Sequence, residues 1–322
     1  MIKLGIIGLG RIFTYQIQSL KLNSNYLVNS LFDKDKFKYE SYSEYDCYNN
    51  IGDFLASDID TVMISVPVKY HYQLAKQALE NDLNVILEKP ACNDMSELNK
   101  LVSLSQKKEK HLYISVHAAF GREVLWFKKM MNDELFKSLG PITFIQGNFY
   151  DPYIQNGMIK DEYVNLGGSW SDSGINGLSV IEKLINIDNV VYDRSYLTHF
   201  EDFKVSEIQG EAFFRYNYHD HFCIIHINTN WALEKNLKKN YIFFHETSTE
   251  VLLHHSNESI FLNKPGESPH LIKDLSNQNT RLVNHYIGLF DDHYKCIMNN
   301  KSNLNSMLKI HELYFKVFNA IS

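Results

Sequence analysis

Ile6-Ile7-Gly8-Leu9-Gly10-Arg11-Ile12 ends an apolar run that begins at Lys3 and opens a segment, 12–22, whose apolar residues recur at helical spacing. A strand that passes through a glycine turn into a helix is the start of a β-α-β unit. Gly8 allows the tight turn. Gly10 lets a pyrophosphate approach the backbone, where helix N–H groups and the helix dipole favour negative charge. Phe13 occupies the position of the usual third glycine. That position serves helix–strand packing, so its bulk predicts a wider crossing with binding intact. An ordinary glycine turn is the competing reading.

Working outward, strand-like runs at 3–7, 26–32, 61–66, 84–87 and 112–116 alternate with helical patterns at 12–22, 70–81 and 96–107. Right-handed crossovers then predict an α/β fold with a doubly wound parallel sheet of the Rossmann type over 1–120, and ligands at the carboxyl ends of its strands. The texture changes after Gly121. A helix is expected at 123–135, a strand at 142–149 and a helix at 171–185. Strand-like runs follow from 190 to 262, among them 211–216 and 222–228, joined through Tyr218-His219-Asp220-His221. Helices at 281–298 and 304–321 close the chain. This order predicts a C-terminal α+β domain, 121–322, with an open and mainly antiparallel sheet. The stretch 263–280, rich in Pro, Gly, Ser and Asn, looks least ordered.

The bulk properties narrow the class. The 322 residues are 44% hydrophobic and 22% charged with a net charge of −6, which suits two compact domains and no basic face for nucleic acid. Cys47, Cys92, Cys223 and Cys296 form no C-x-x-C and read as buried, inert thiols of a cytoplasmic protein. No apolar stretch approaches the roughly 18 residues of a membrane span, and Lys3 with its short apolar run reads as a strand, not a signal peptide.

Several residues carry chemistry. Asp33 ends the second strand 23 residues after Gly10, where a carboxylate accepts hydrogen bonds from ribose hydroxyls and repels a 2′-phosphate. NAD is therefore favoured, with NADP as the alternative because Lys34 and Arg11 lie close by in sequence. A solvated turn residue is the bland reading of Asp33. Lys89 follows the apolar run 84–87, and Pro90 holds it extended, so its amine projects from the strand's carboxyl edge. An amine there binds a hydroxyl and, if desolvated, exchanges protons. Asp172 and Asn176 are four apart and share one helix face. A carboxylate beside an amide holds vicinal hydroxyls and takes a proton. Ser169-x-x-Asp172 also fits a capping box, which would make Asp172 a helix-start residue only. His219 and His221 alternate at the hairpin with no third ligand in reach, His254 and His255 point to opposite strand faces, and no metal is expected.

The ordered set Gly8-Leu9-Gly10-Arg11-Ile12, Pro67-x-x-x-His71, Glu88-Lys89-Pro90 and Asp172-x-x-x-Asn176 resembles the glucose–fructose oxidoreductase / inositol dehydrogenase (Gfo/Idh/MocA) family. The resemblance implies an NAD(P)-dependent dehydrogenase acting on a CH–OH group of a small sugar-like substrate, in a homodimer or homotetramer. It implies Lys89, Asp172 and Asn176 as catalytic residues, with a peptide from Lys89 to Pro90 that can be cis. Gly8, Gly10, Arg11, Ile12, Asp33, Val66, Pro67, His71, Glu88 and Lys89 would line the cofactor. Asp151 and Trp170 would meet substrate. Most members carry histidine where Asn176 stands, and asparagine cannot titrate, so the proton must go to Asp172 or Lys89. Asp172, Gly174, Ile175, Asn176, Leu178 and Ser179 match the branch that oxidises aldoses at C1, such as L-arabinose and D-galactose 1-dehydrogenases. A non-catalytic sugar-pathway regulator and a reductase of keto or imine intermediates are the alternatives.

Overall fold

A computed structural model describes residues 1–39, 42–218, 221–233 and 235–319. The chain divides into two compact units. One joins Met1–Val116 to Leu282–Leu308, and the other joins His117–Arg281 to the residues from Lys309 onward. The expected boundary at 120/121 therefore falls four residues earlier, and a late segment belongs with the first unit.

The first unit is a six-stranded parallel sheet. Its elements in chain order are β1 (Ile2–Ile7), α1 (Phe13–Lys21), β2 (Tyr26–Phe32), β3 (Asp46–Tyr48), α2 (Ile51–Leu55), β4 (Thr61–Ile64), α3 (His71–Glu80), β5 (Asn84–Glu88), α4 (Met95–Lys107) and β6 (Leu112–Ser115). The sheet order is β3-β2-β1-β4-β5-β6, all pairs parallel. β3 is short and half polar, which is why no apolar run announced it. Leu4, Ile6, Val62, Ile64, Val85 and Leu87 are fully or almost fully buried, as strands covered on both faces require. Strand order reverses between β1 and β4, which opens a crevice at their carboxyl ends. Phe13 is fully buried, its ring edge-on to Tyr42, and so fills the helix–strand space the absent glycine would have closed. Asp94 caps α4 by accepting from the Glu97 N–H at 2.8 Å.

The second unit holds α5 (Arg122–Met130), α6 (Glu134–Lys137), β7 (Ile142–Tyr150), a small ribbon of β8 (Ile154–Gln155) and β9 (Met158–Ile159), α7 (Asp161–Val164) and α8 (Ser169–Leu184). Then come β10 (Val190–Thr198), β11 (Gln209–Tyr218), β12 (His221–Asn230), β13 (Leu237–Phe244), β14 (Glu250–His254), β15 (Ser259–Asn263) and β16 (His270–Asp274). In chain order the helices α9 (Arg281–Met298), nearly all of which belongs with the first unit, and α10 (Leu304–Asn319) follow. The eight-stranded sheet runs β10-β11-β12-β7-β13-β14-β15-β16, antiparallel except where β12 meets β7. One face, with Ile145, Phe214, Ile225, Ile227, Ile242 and Val251, is buried under α8 and α5. A Cβ on Gly177 would lie 2.8 Å from the Ile227 side chain, so glycine lets α8 settle on β12.

Three expectations need correction. The helix expected at 123–135 is two helices, because Asp133 leaves the first and caps the second by accepting from the Leu135 N–H at 3.1 Å. The stretch 263–280 is not without structure, since β16 pairs with β15 inside it. Of the four thiols, Cys92 and Cys223 are buried and pushed up to about 12 by desolvation, but Cys47 is exposed and Cys296 half-buried. His219 and Asp220 lie outside the described residues, as does Ile321. No helix among the described residues is long and apolar enough to cross a membrane.

Candidate active site

The first unit supplies a dinucleotide cradle. Gly8 turns the chain at φ +99, and a Cβ there would lie 2.4 Å from the Ser65 carbonyl oxygen, so no other residue fits. A Cβ on Gly10 would meet nothing within 4 Å. That open space precedes α1, whose N-cap Ile12 provides no side-chain hydrogen bond, leaving phosphate room at the helix start. The Leu9 N–H donates to Asp33 Oδ2 at 2.9 Å and ties the turn to the tip of β2. Asp33 also accepts from Lys38 Nζ at 2.9 Å and from the Asp35 N–H at 3.0 Å. Burial alone would raise its carboxyl, but these donors outweigh burial and hold it below its usual range. Asp33 is thus a fixed anion where ribose hydroxyls would arrive. These features fit an NAD-type dinucleotide.

Lys89 stands half-buried at the end of β5, and its peptide to Pro90 is cis. Two neighbours expected along the cofactor also have internal bonds. His71 spends both ring nitrogens on the main chain, at 2.8 Å from the Val66 oxygen and 2.9 Å from the Pro90 oxygen. Burial holds its pKa down, and the neutral ring has one N–H to donate to one of these carbonyls while it lies against the other, between the Val66-Pro67 loop and the Lys89-Pro90 turn. Glu88 is buried, and its Oε1 accepts from Tyr286 Oη at 2.7 Å, Ser115 Oγ at 2.9 Å and Gln16 Nε2 at 3.1 Å. Its Oε2 accepts from the Lys89 N–H at 3.2 Å. Glu88 therefore anchors the strand tip that carries Lys89.

The second unit supplies a polar cluster at the start of α8. The capping-box reading fails there. Ser169 Oγ pairs with Thr229 Oγ1 at 3.1 Å, and the N-cap is Gly168 with no side-chain bond. Glu207 closes the helix instead: its Oε1 accepts from the Ser171 N–H at 2.8 Å, and its carbonyl from the Ser169 N–H at 3.0 Å. Asp172 is half-buried in the first turn. One turn on, Asn176 donates from Nδ2 to the Asp172 carbonyl at 3.3 Å. Its Oδ1 is buried and has no hydrogen-bond partner. An orphaned buried acceptor costs about 1–3 kcal/mol unless something meets it.

Asp151, just after β7, is buried beside this turn. It is not open to substrate as expected. Lys238 Nζ contacts its two oxygens at 2.6 and 2.8 Å, Asn236 Nδ2 donates at 3.2 Å and Ser173 Oγ at 3.3 Å. Lys238 also lies in the field of Asp172 and Arg281; burial lowers its pKa, and Asp151 opposes that. Trp170, expected at the substrate, is fully buried in the core, where its Nε1 donates to the Tyr314 oxygen at 3.4 Å. Asp151, Asp172 and Asn176 therefore share one locality, joined by Lys238 and Asn236, which no motif marked.

Residues 2–116 match the Gfo/Idh/MocA family profile, described as an oxidoreductase family with an NAD-binding Rossmann fold. Inositol 2-dehydrogenase of Corynebacterium glutamicum is 24% identical over 176 residues, 51% of each chain. A glycosyl hydrolase family 109 protein of Streptomyces coelicolor is 33% identical over 82 residues, 26% of this chain and 17% of that protein. The chain thus spans about half the length of the first of these and about a sixth of the second. Among solved structures, UDP-N-acetylglucosamine 3-dehydrogenase from Acidithiobacillus ferrooxidans superposes with a TM-score of 0.79 at 14% identity, covering 99% of this chain and 97% of that one. A 3-ketoreductase from Actinomadura kijaniata gives 0.80 at 13% identity over the same shares. At such identities the likeness is one of fold.

Proposed function

Because residues 2–116 match the profile of the Gfo/Idh/MocA oxidoreductases, we propose that this chain moves a hydride between NAD and a hydroxyl-bearing carbon of a sugar or sugar-derived compound. One observation carries the reading: the Asn176 oxygen is buried with nothing to accept from, one turn after Asp172 on a helix start that Glu207 closes. A buried acceptor left open beside a half-buried carboxylate on one helix face suits a ligand with hydroxyls.

When bound, NAD takes or gives the hydride, and NADP is the alternative carrier. Gly8, Gly10 and Asp33 would hold it. Asp172 takes the hydroxyl proton and Asn176 accepts from a neighbouring hydroxyl. Asn176 does not titrate, so no proton passes through it. The same groups serve reduction of a keto-sugar in reverse. Oxidation at C1 of an aldose is the narrower form of the proposal, resting on the Asp172-to-Ser179 pattern. The inositol 2-dehydrogenase relative supports cyclitols as candidates too.

The test is absorbance at 340 nm with NAD or NADP across aldoses, cyclitols and nucleotide-linked sugars. Turnover with at least one, falling about 100-fold or more in Asp172→Asn with NADH affinity kept, is expected. Bound NADH with no turnover anywhere would favour the regulator. A homodimer or homotetramer is also proposed, since Tyr196, Phe222 and Ile224 are exposed on the sheet. Light scattering checks it.

A further inference from the structure

Asp151 was expected to meet substrate, and its pairing with Lys238 bears on that expectation. Asp151 has spent its oxygens: four contacts from Lys238, Asn236 and Ser173 reach them. A substrate hydroxyl arriving at that carboxylate would have to displace one of these donors. Lys238 is the opposite case. Its ammonium has three N–H groups, and its hydrogen bonds among the described residues go to Asp151 alone. Lys238 keeps 14% side-chain exposure while Asp151 keeps 2%, so whatever enters from solvent meets the amine first.

Position supports this. Lys238 opens β13, paired in register with Phe149 of β7, and Asp151 lies two residues beyond Phe149. Ser173 fastens Asp151 to the first turn of α8, the turn that carries Asp172. The amine, the half-buried carboxylate of Asp172 in whose field it lies, and the orphaned Asn176 oxygen are therefore gathered at one end of one sheet. Arg281 is the other nearby cation, with Asp151, Glu123 and Glu258 within its field. Glu123 is engaged by His255 Nδ1 at 2.6 Å.

We propose that Lys238 is a catalytic residue that donates to the substrate oxygen, and that Asp151 is its positioning residue. The proposal rests on the oxidoreductase reading and names the group that covers for the missing histidine. In the oxidation step the hydroxyl proton passes to the Asp172 carboxylate and the C–H electron pair leaves as hydride to the oxidised cofactor. The carbon–oxygen double bond forms. Lys238 keeps its proton throughout and stabilises the negative charge that gathers on oxygen as the bonds change. The ligand class is an oxygen acceptor beside a second hydroxyl, the first for Lys238 and the second for Asn176.

The test is a double-mutant cycle in the full chain: wild type, Asp151→Asn, Lys238→Met and both together. Lys238→Met should lower kcat about 100-fold with the NADH dissociation constant, read by fluorescence, unchanged within about 2-fold. Asp151→Asn should cost about 10-fold alone and nothing further once Lys238 is gone. Equal losses in both backgrounds would mean that Asp151 meets substrate itself, and retained kcat in Lys238→Met would dismiss the amine; either overturns the proposal. If Lys238→Met folds poorly, Lys238→Met with Asp151→Leu removes both charges and is read the same way. Should the wild type turn over no sugar, the oxidoreductase reading falls and the pair is scored by binding. Myo-inositol or D-galactose is then added to the NADH-loaded protein and the shift in Tm recorded. A shift lost in Lys238→Met supports donation by Lys238; an equal shift, or none in the wild type, overturns it.

Discussion

Glu88 in the first unit and Asp151 in the second are both carboxylates out of reach of water, yet their partners differ in kind. Glu88 is held by neutral donors: a phenol, a hydroxyl, an amide and a backbone N–H. Burial is the strongest influence on it, and its pKa is raised despite those bonds and the nearby Lys89 charge. Asp151 instead grips an ammonium with both oxygens. Neutral donors make a carboxyl that tolerates protonation and serves as scaffold. A cation partner makes a pair whose members cannot be removed singly, and whose amine has capacity to spare. The first arrangement anchors a backbone; the second aims a charge.

The contrast can be broken in order of expected effect. Asp151→Ala strands Lys238 and should cost about 3–5 kcal/mol at neutral pH in urea unfolding. A loss below about 1 kcal/mol would mean water already satisfies the amine. Tyr286→Phe withdraws one donor from Glu88 and should cost about 1–2 kcal/mol, more at high pH than low, because the phenol favours the ionised form. Glu88→Gln should cost about 1 kcal/mol in acid and less as pH rises. The sign follows from the raised pKa: ionisation is penalised in the folded state, so wild type loses stability as pH climbs above the ordinary glutamate value of about 4.3 and through the folded value. Glutamine does not titrate, so the two unfolding curves should converge between acid and neutral pH. A constant gap would show that Glu88 is already ionised without penalty. Smallest of all, Gly10→Ala should leave stability within about 0.5 kcal/mol, since its Cβ enters open space. It should still weaken NADH at least about 10-fold, a loss of about 1.4 kcal/mol in binding titrations.

What the sequence disclosed follows the reach of its patterns. The glycine turn, the strand tips and Glu88-Lys89-Pro90 are local, each legible from a few neighbouring residues, and the parallel sheet followed from their alternation. Asp172 and Asn176 were legible because helical spacing is local too. The partners that assign roles are distant. Lys238 is 87 residues from Asp151, Glu207 is 36 from Ser171, and Tyr286 is 198 from Glu88. Strand register and helix packing bring them together, and no spacing rule announces either. For the same reason the capping box at Ser169 looked sound: its letters fit, but Thr229 and Glu207 arrive from other strands and loops to claim the donors. Trp170 misled similarly, since an aromatic beside a site and an aromatic beneath it are alike in sequence.

The return of Leu282–Leu308 to the first unit has a consequence for how the chain is made. On the ribosome, the 116 residues that bear the nucleotide signature emerge long before Tyr286, so Glu88 waits at the strand tip for its last donor. Residues 117–281, most of the second unit, must be translated in the interval. Each unit therefore waits for a late segment, 282–308 for the first and 309 onward for the second, and a nascent chain halted before residue 286 holds a lysine whose footing is not yet set.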